Sequence, residues 1–460
     1  MLEPVFHLQK TDKESNSGRN DRMKKVKKEV WGWAMYDWAN SAFATTVMAG
    51  FFPLYFKKYL SFGADVTVST AQLGFGNSVS SLLVALLAPL LGAVADRRSA
   101  RKAFLLFFAY LGALMTSCLF LIQQGQWVWA IFIYAMGNIG FSGANIFYDS
   151  LLPEVASESD IDFVSGLGFG MGYLGGGILF AVNVFMTMKP ALFGLSGAAQ
   201  AVRFSFLSVA LWWGGFTLFT LFWVKEEKRE PAARSLKKTF SEGLSELVET
   251  FRKIRVLKKA FLFLIAYWFY IDGVDTIIKM AVDYGMSIGF DSNDLILALL
   301  LVQFVGFPSA ILFGKLGQSW GIQKGIYLAI GVYILATIWG AMISQRYEFY
   351  ILAVIIGLVQ GGIQALSRSY YSRLIPKGQT AQFFGFYNML GKFAAILGPA
   401  LMAAVALAAR TMLMPQSPSP LEMTEAGRLA SRLGIASISL LFIIGGLLFH
   451  VADKARAESR

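Results

Sequence analysis

Apolar runs of about 20 residues, the length an α-helix needs to cross hydrocarbon, recur from one end of this chain to the other. Twelve are read: 33–56, 71–95, 103–122, 127–150, 163–186, 203–224, 260–282, 293–314, 325–343, 349–371, 382–408 and 433–451. The 460 residues are 56% hydrophobic and only 15% charged, against about a quarter charged in soluble domains. The runs do not alternate with the period of two that a transmembrane barrel requires. The fold expected is an all-α membrane protein of twelve transmembrane helices.

One run carries charges where a membrane disfavours them. Asp272, Asp275, Lys279 and Asp283 stand at i, i+3, i+7 and i+11, within about 80° of one another around a helix. Charges at bilayer depth persist where they face a bundle interior or a wet cavity. A polytopic protein with a polar interior is the outline of a transporter.

The charge balance fixes an expected orientation. With both termini inside, about three quarters of the Lys and Arg fall in the inward segments, as the positive-inside rule requires. This distribution, alternating loop by loop, argues against a polyanion-binding surface despite the net charge of +12; no nucleic-acid partner is expected. The partners expected are the lipid bilayer, a small-molecule substrate and a coupling ion, H+ or Na+, with the protein a monomer in a bacterial inner membrane. Residues 1–32 read as a disordered basic cytoplasmic N-terminus, and Met23, ahead of Lys24, Lys25, Lys27 and Lys28, is an alternative start. No signal peptide is read, because the first apolar run is too long and lacks a small-residue cleavage site. Cys118 alone forms no internal disulfide, and His7 and His450 at opposite ends leave little for a histidine metal site. No cofactor is implied.

The chain repeats itself at an offset of 222–223 residues. Gly92-Ala-Val-Ala-Asp96-Arg97-Arg98-Ser99-Ala-Arg101-Lys102 follows the second run, and Gly314-Lys-Leu-Gly-Gln318-Ser319-Trp-Gly321-Ile-Gln323-Lys324 follows the eighth. Tyr148-Asp-Ser-Leu-Leu-Pro153 ends the fourth run and Tyr371-Ser-Arg-Leu-Ile-Pro376 the tenth; Gly168 and Gly175 then align with Gly391 and Gly398. Parallel repeats of six helices imply two bundles related by a pseudo-twofold axis along the membrane normal. The expected division is an N-terminal bundle at 33–224, a cytoplasmic linker at 225–259, a C-terminal bundle at 260–451 and a tail at 452–460. In the linker, Leu236, Phe240, Leu244, Leu247, Val248, Phe251 and Ile254 keep three-or-four spacing, as in an amphipathic surface helix that tethers the bundles.

Gly92, Asp96, Arg97, Arg101 and Lys102 match the helix 2–3 loop signature of the major facilitator superfamily, although Ser99 replaces its second glycine. Tyr36-Asp37-Trp-Ala-Asn40-Ser-Ala-Phe43, Tyr148-Asp-Ser-Leu-Leu-Pro-Glu154, Gly361-Gly-Ile-Gln-Ala-Leu-Ser-Arg-Ser369 and Phe384-Gly-Phe-Tyr-Asn388 resemble the family of vacuolar amino-acid effluxers and its bacterial relatives. The superfamily resemblance covers residues 33–451. It implies that helices 1, 4, 7 and 10 line a cavity, with helices 3, 6, 9 and 12 outside. The residues agree, since the outer set carries almost no charge or amide away from its ends. The candidate substrate- or ion-binding residues are Asp37, Asn40, Asn138, Asn145, Asp149, Asp272, Asp275, Gln360, Gln364, Arg368, Asn388 and Lys392.

Depth sorts them. Asp37, Asp149 and Arg368 lie near the inner ends, while Asp272 lies roughly 18 Å in, near mid-membrane, as does Lys392. Asp272 is a candidate proton carrier, a partner of Lys392 in a structural ion pair, or an ammonium ligand complementing a carboxylate on Lys392. Asp275 and Lys279 are spaced for a within-helix pair. Asp96 with Gly92, Arg97, Arg101 and Lys102 reads as a conformational latch at a helix N-terminus; Gln318 cannot supply the second copy's charge, so the latch should be asymmetric. Gly170-Met-Gly172-Tyr-Leu-Gly175 spells a dinucleotide fingerprint, but it lies in an apolar helix with no strand before it and reads as helix packing.

The function expected is a secondary transporter working by alternating access, because no nucleotide-binding motif supplies another energy source. The family resemblance implies efflux of amino acids or related small polar metabolites. A sugar–cation symporter is the nearest alternative, with Asp37, Asn40 and Asp149 around Na+; a lysolipid flippase and a non-transporting receptor follow. An enzyme is not expected, for want of a nucleophile–base pair or metal cluster.

Overall fold

The computed structural model describes residues 26–63, 66–98, 100–226, 252, 254–413 and 419–455. The first helix, α1, runs as Lys28–Ala42, a π-helical stretch Phe43–Phe51, a short turn Phe52–Tyr55 and a second π stretch Phe56–Leu60. The others are α2 (Val66–Arg98), α3 (Arg101–Cys118), α4 (Trp127–Val155), α5 (Ile161–Met188), α6 (Ala198–Trp223), α7 (Lys258–Ser287), α8 (Ser292–Trp320), α9 (Ile322–Gly340), α10 (Arg346–Leu374) and α11 (Thr380–Leu413). The last, α12, is Pro420–Ser437 continued by Ser439–Lys454. Each apolar run lies on one of these helices, and no strand occurs among the described residues. Nine of the described helices are long and apolar enough to cross a membrane, and α1, α2 and α11 carry the other three runs.

Helices start and stop where local chemistry dictates. Gln345 with Glu348 and Ser419 with Glu422 form capping boxes at the starts of α10 and α12. Gly321 turns the chain from α8 into α9 at φ 96°, a left-handed conformation that favours glycine. The π stretch of α1 ends just before Pro53, whose missing N–H interrupts the α-helical ladder, and a wider turn absorbs the mismatch.

Packing reproduces the sequence repeat. In the first half α1 packs on α5 and α6, α3 on α4 and α6, and α2 on α4; the second half repeats each pairing with every index raised by six. Between halves α2 packs on α11 and α5 on α8, again equivalent pairs. Each half has its own apolar core, one around Trp33, Phe43, Phe147 and Trp213, the other around Phe263, Tyr270, Tyr333 and Phe442. Two six-helix bundles related by a pseudo-twofold axis follow. Large apolar side chains stay exposed on the peripheral helices, among them Phe107 on α3, Leu211 and Phe222 on α6, Leu335 on α9 and Leu447 on α12. On a multi-pass protein that surface faces lipid. The basic N-terminus up to residue 25 and the amphipathic linker pattern, apart from Arg252 and a helical turn at 254–256, lie outside the described residues.

Candidate functional site

The two bundles meet over a polar cavity of about 220 Å³. Asp37 (α1), Asn145, Tyr148 and Asp149 (α4) and Phe169 (α5) line it from the first bundle; Asp275 (α7), Gln364 and Arg368 (α10) and Asn388 (α11) line it from the second. Arg368 is its centre. Its Nη1 donates to Asp149 Oδ1 at 3.0 Å, its Nε to Ser165 Oγ at 3.0 Å and its Nη2 to the Ser165 carbonyl at 2.9 Å. Its guanidinium also lies over the rings of Phe169, Trp33 and Tyr148, at 4.2, 4.9 and 5.3 Å from their centroids, so the buried charge is met on its edges and its faces. Asp149 is filled in turn, because the Asn388 amide donates to its Oδ2 at 3.0 Å. Trp33 stacks on Tyr148 and donates its indole N–H to the Tyr148 carbonyl, fixing α1 against α4.

Asp37 is placed differently. It accepts from the Tyr148 hydroxyl at 3.2 Å and from Ser41 at 3.3 Å, and is not in an ion pair with Arg368. Gly172 on α5 makes room for it, since a Cβ there would lie 3.0 Å from Asp37 Oδ1 and 2.6 Å from Ser41 Oγ. Gly170 and Gly175 of the same run approach Ile311 and Trp38, which is the packing role expected of that glycine pattern. Asp37, Asn145, Phe169 and Gln364 also line a second, larger cavity of about 370 Å³ that extends away from the floor. Asn40 and Gln360 line it too, and Asn40 donates to Asn145 Oδ1 at 2.6 Å. Thr45, in the π stretch, meets Gln303 of α8 across the bundle junction at 2.7 Å.

This larger cavity does not keep to helices 1, 4, 7 and 10. It continues into the second bundle among α7, α8, α9 and α10, where Ala281, Ala298, Ala336, Gly340 and Ala353 leave space and Ile277, Leu299, Val302 and Phe349 make the walls apolar. Small side chains at helix contacts open the room that leucines would have filled.

Two expected site residues stand apart from both cavities. Asn138 donates to Ser80 at 2.9 Å and accepts from Ser142, tying α2 to α4. Asp272 is fully buried, with the Gly398 N–H and Thr276 hydroxyl on its Oδ1. A rotation of about 60° around α7 separates it from Asp275, enough to turn it from the cavity into the contact with α11. Its possible pairing with Lys392 falls on a side chain outside the described residues. Lys279 is exposed. The side chains of Lys392 and Asp283 lie outside the described residues, and Asp275 takes part in a polar interaction while lining the floor.

One end of the molecule is sealed beneath the floor. Asp96, at the end of α2, accepts from the backbone N–H groups of Ala381 and Gln382 at 3.2 and 2.8 Å, capping α11 of the other bundle. Gly92 permits that approach, because a Cβ would run into the Ala381 carbonyl. Arg101 is buried among Asp96, Glu154 and Glu226 and donates to Thr380 Oγ1 at 2.8 Å. Lys102 faces elsewhere, donating to the Val224 carbonyl, and the side chain of Arg97 lies outside the described residues. The second half seals asymmetrically. Gln318 donates to the Ser159 carbonyl at 2.8 Å, while the acid comes from Asp162 of α5, which binds Ser369 and pairs with Arg373 of α10 at 2.8 Å. Asp162, Ser165, Phe169 and Glu226 were not singled out from the sequence. A carboxylate two residues into a helix after a polar loop carries no signal that separates it from an ordinary helix start, whereas Tyr148 and Glu154 stood within a quoted motif.

The family model for vacuole effluxer Atg22-like proteins matches residues 25–72 and 59–415. The chain belongs to that family. Among its relatives, an uncharacterized MFS-type transporter, YxiO of Bacillus subtilis (strain 168), is 37% identical over 84% of this chain and 90% of its own. Autophagy-related protein 22 of Saccharomyces cerevisiae (strain ATCC 204508 / S288c) is 23% identical over 84% and 88%. In fold, this family member is similar to the human organic anion transporter MFSD10 (TM-score 0.65, 16% identity, 92% of this chain and 99% of that one). It is also similar to the proton:xylose symporter XylE (TM-score 0.63, 13% identity, 91% and 93%). The protein is a multi-pass membrane transporter of the major facilitator superfamily and not an enzyme.

Proposed function

We propose that this protein is a proton-coupled secondary transporter that exports an amino acid or a related zwitterionic metabolite by alternating access. The observation that carries the reading is the floor of the cavity, where Arg368 stands between Asp149 and Asp37 at the junction of the bundles. Among the described residues that line the floor, Asp37, Asp149 and Asp275 outnumber the one guanidinium, and an ammonium or a proton offsets that surplus of negative charge. A carboxylate of the solute competes with Asp149 for Arg368, and the two-pronged guanidinium suits that exchange. Because Asp149 and Asp37 belong to one bundle and Arg368 to the other, solute at the floor bears directly on how the bundles sit together. With the basic loops inside, the sealed end is cytoplasmic and both termini lie there; the inner membrane of a bacterium is the setting.

A lysolipid flippase is the second reading, favoured by the apolar walls of the larger cavity. Counterflow in liposomes tests both. Purified protein loaded with unlabelled amino acids should exchange labelled ones, and an opposing pH gradient should drive accumulation. Exchange of a labelled lysolipid without exchange of any amino acid would replace the first reading by the second.

A further inference from the structure

Asp272 is the acid that the cavities leave out. Its Oδ1 accepts from the Gly398 backbone N–H at 2.9 Å and from Thr276 at 3.4 Å, while its Oδ2 is buried without a hydrogen-bond partner. An acceptor in that position is costly as a carboxylate and is relieved when it carries a proton. Gly398 precedes Pro399, which lies inside α11. Proline offers no N–H and crowds the carbonyl four residues earlier, so the helical ladder breaks there. α11 runs on through this point to Leu413, and Asp272 reaches across from α7 to accept the Gly398 N–H immediately before the proline, where the helix has lost one rung. The fit excludes any larger residue, since a Cβ on Gly398 would collide with the Thr276 hydroxyl and lie 2.9 Å from Asp272 Oδ1.

The groups facing Asp272 leave it free to act through this contact. Asp275 and Lys279 are the charged neighbours, both on α7 itself. From α12, Phe442 packs on the adjacent Gly273, and from α10, Ser367 bonds to Tyr270; α11 brings the Gly398 N–H, and also bears Lys392, whose side chain lies outside the described residues. The same α11 carries Asn388 on Asp149 and, at its start, the N–H groups capped by Asp96. One helix thus joins the floor, the latch and the Asp272 contact.

We propose that Asp272 is the proton site of this transporter and that it acts on α11 instead of on the solute. As a carboxylate it clamps the outer segment of α11 to α7; as an acid it lets that segment move. The chemistry is one O–H bond, formed at Oδ2 with a proton from water admitted when the bundles part on one side, and broken to water on the other. This inference rests on the proton-coupled reading above and places its proton outside the solute cavity.

The test uses the full chain in phosphatidylethanolamine–phosphatidylglycerol liposomes. Infrared difference spectra between high and low pH should contain a carboxylic-acid carbonyl band that disappears in Asp272→Asn. In a Cys118→Ser background, Met402→Cys, buried in the outer segment of α11, should react faster with an impermeant maleimide at low pH, by about 5-fold to 150-fold, the ordinary range of coupling between two sites. Asp272→Asn should make that rate independent of pH. If Asp272→Asn fails to fold, Gly398→Ala, which keeps the carboxyl but forces the helices apart, should label rapidly at every pH. An unchanged band, or a pH-dependent rate surviving in Asp272→Asn, overturns the proposal. So does uphill accumulation of amino acids by Asp272→Asn, which would leave the solute reading standing. If the band and the labelling respond while no amino acid exchanges, the solute reading fails and the proton assignment stands.

Discussion

Arg368 engages three of its nitrogens with Asp149 and Ser165 and rests against three aromatic rings. Removing it strands a buried carboxylate. Arg368→Ala should therefore destabilise the protein by about 3–5 kcal/mol, read as a lower unfolding temperature in detergent. The double variant Arg368→Ala with Asp149→Asn should regain much of that loss, because the stranded charge is gone, yet transport should stay absent. A double variant as unstable as the single one would mean that Arg368 stabilises mainly through Ser165 and the rings. Asp96 has a different kind of partner. Asp96→Asn keeps one acceptor but turns an amide N–H₂ toward a backbone N–H of α11, so the sealed end should open more often. Transport should fall while equilibrium binding of solute stays within a few fold; a large loss of binding would place Asp96 in the solute's path.

At the scale of helices, α2 and α11 show how much the sequence discloses and where it stops. Their existence follows from length and hydropathy alone, and the match between Gly92 and Gly314 announces two equivalent loops. The repeat register even aligns Ser165 with Asn388, at the offset of 223 residues. These two equivalent residues turn out to bind the two sides of one ion pair, Ser165 holding Arg368 and Asn388 holding Asp149. Facing is harder to read. Asn138 and Asp272 sit on stripes that periodicity assigns to the cavity, and each is turned away by packing against a neighbour that a single helix does not encode. The apolar extension into the second bundle was equally hidden, because it arises from alanines and glycines on four helices that are distant in sequence. Gly92 offers the cleanest test of an element-level claim. Gly92→Val places a branched side chain against the Ala381 carbonyl, so it should part α2 from α11, raising labelling of a cysteine at Gln382 from the latch side by several fold. Labelling equal to that of the parent would show that the approach at Gly92 is not what holds this end shut.

At the scale of the whole molecule, the equivalent pairings of α1–α6 and α7–α12 leave orientation as the remaining variable, and charge is what sets it. The helix ends and loops at the sealed end carry Arg97, Arg98, Arg101, Lys102, Arg373 and Lys377, whereas the opposite loops, such as those around Ser196 and Ser344, carry few basic residues. Cysteine probes decide the matter, provided that the sites are accessible. Ser61, in the α1–α2 loop, fails this condition, being only 1% exposed with its hydroxyl on the Phe56 carbonyl. Ser196, Ser344 and Ser319 are exposed. In a Cys118→Ser background, Ser196→Cys and Ser344→Cys should react with an impermeant maleimide added to intact cells, and Ser319→Cys only after the membrane is breached. Both halves are probed because the repeat demands that they agree: Ser196 lies between α5 and α6, while Ser344 lies between α9 and α10. Reaction of Ser319→Cys in intact cells would invert the protein in the membrane, and with it the export direction. Opposite results at Ser196 and Ser344 would break the parallel repeat itself, since two bundles related by an axis along the membrane normal must present these loops on the same side.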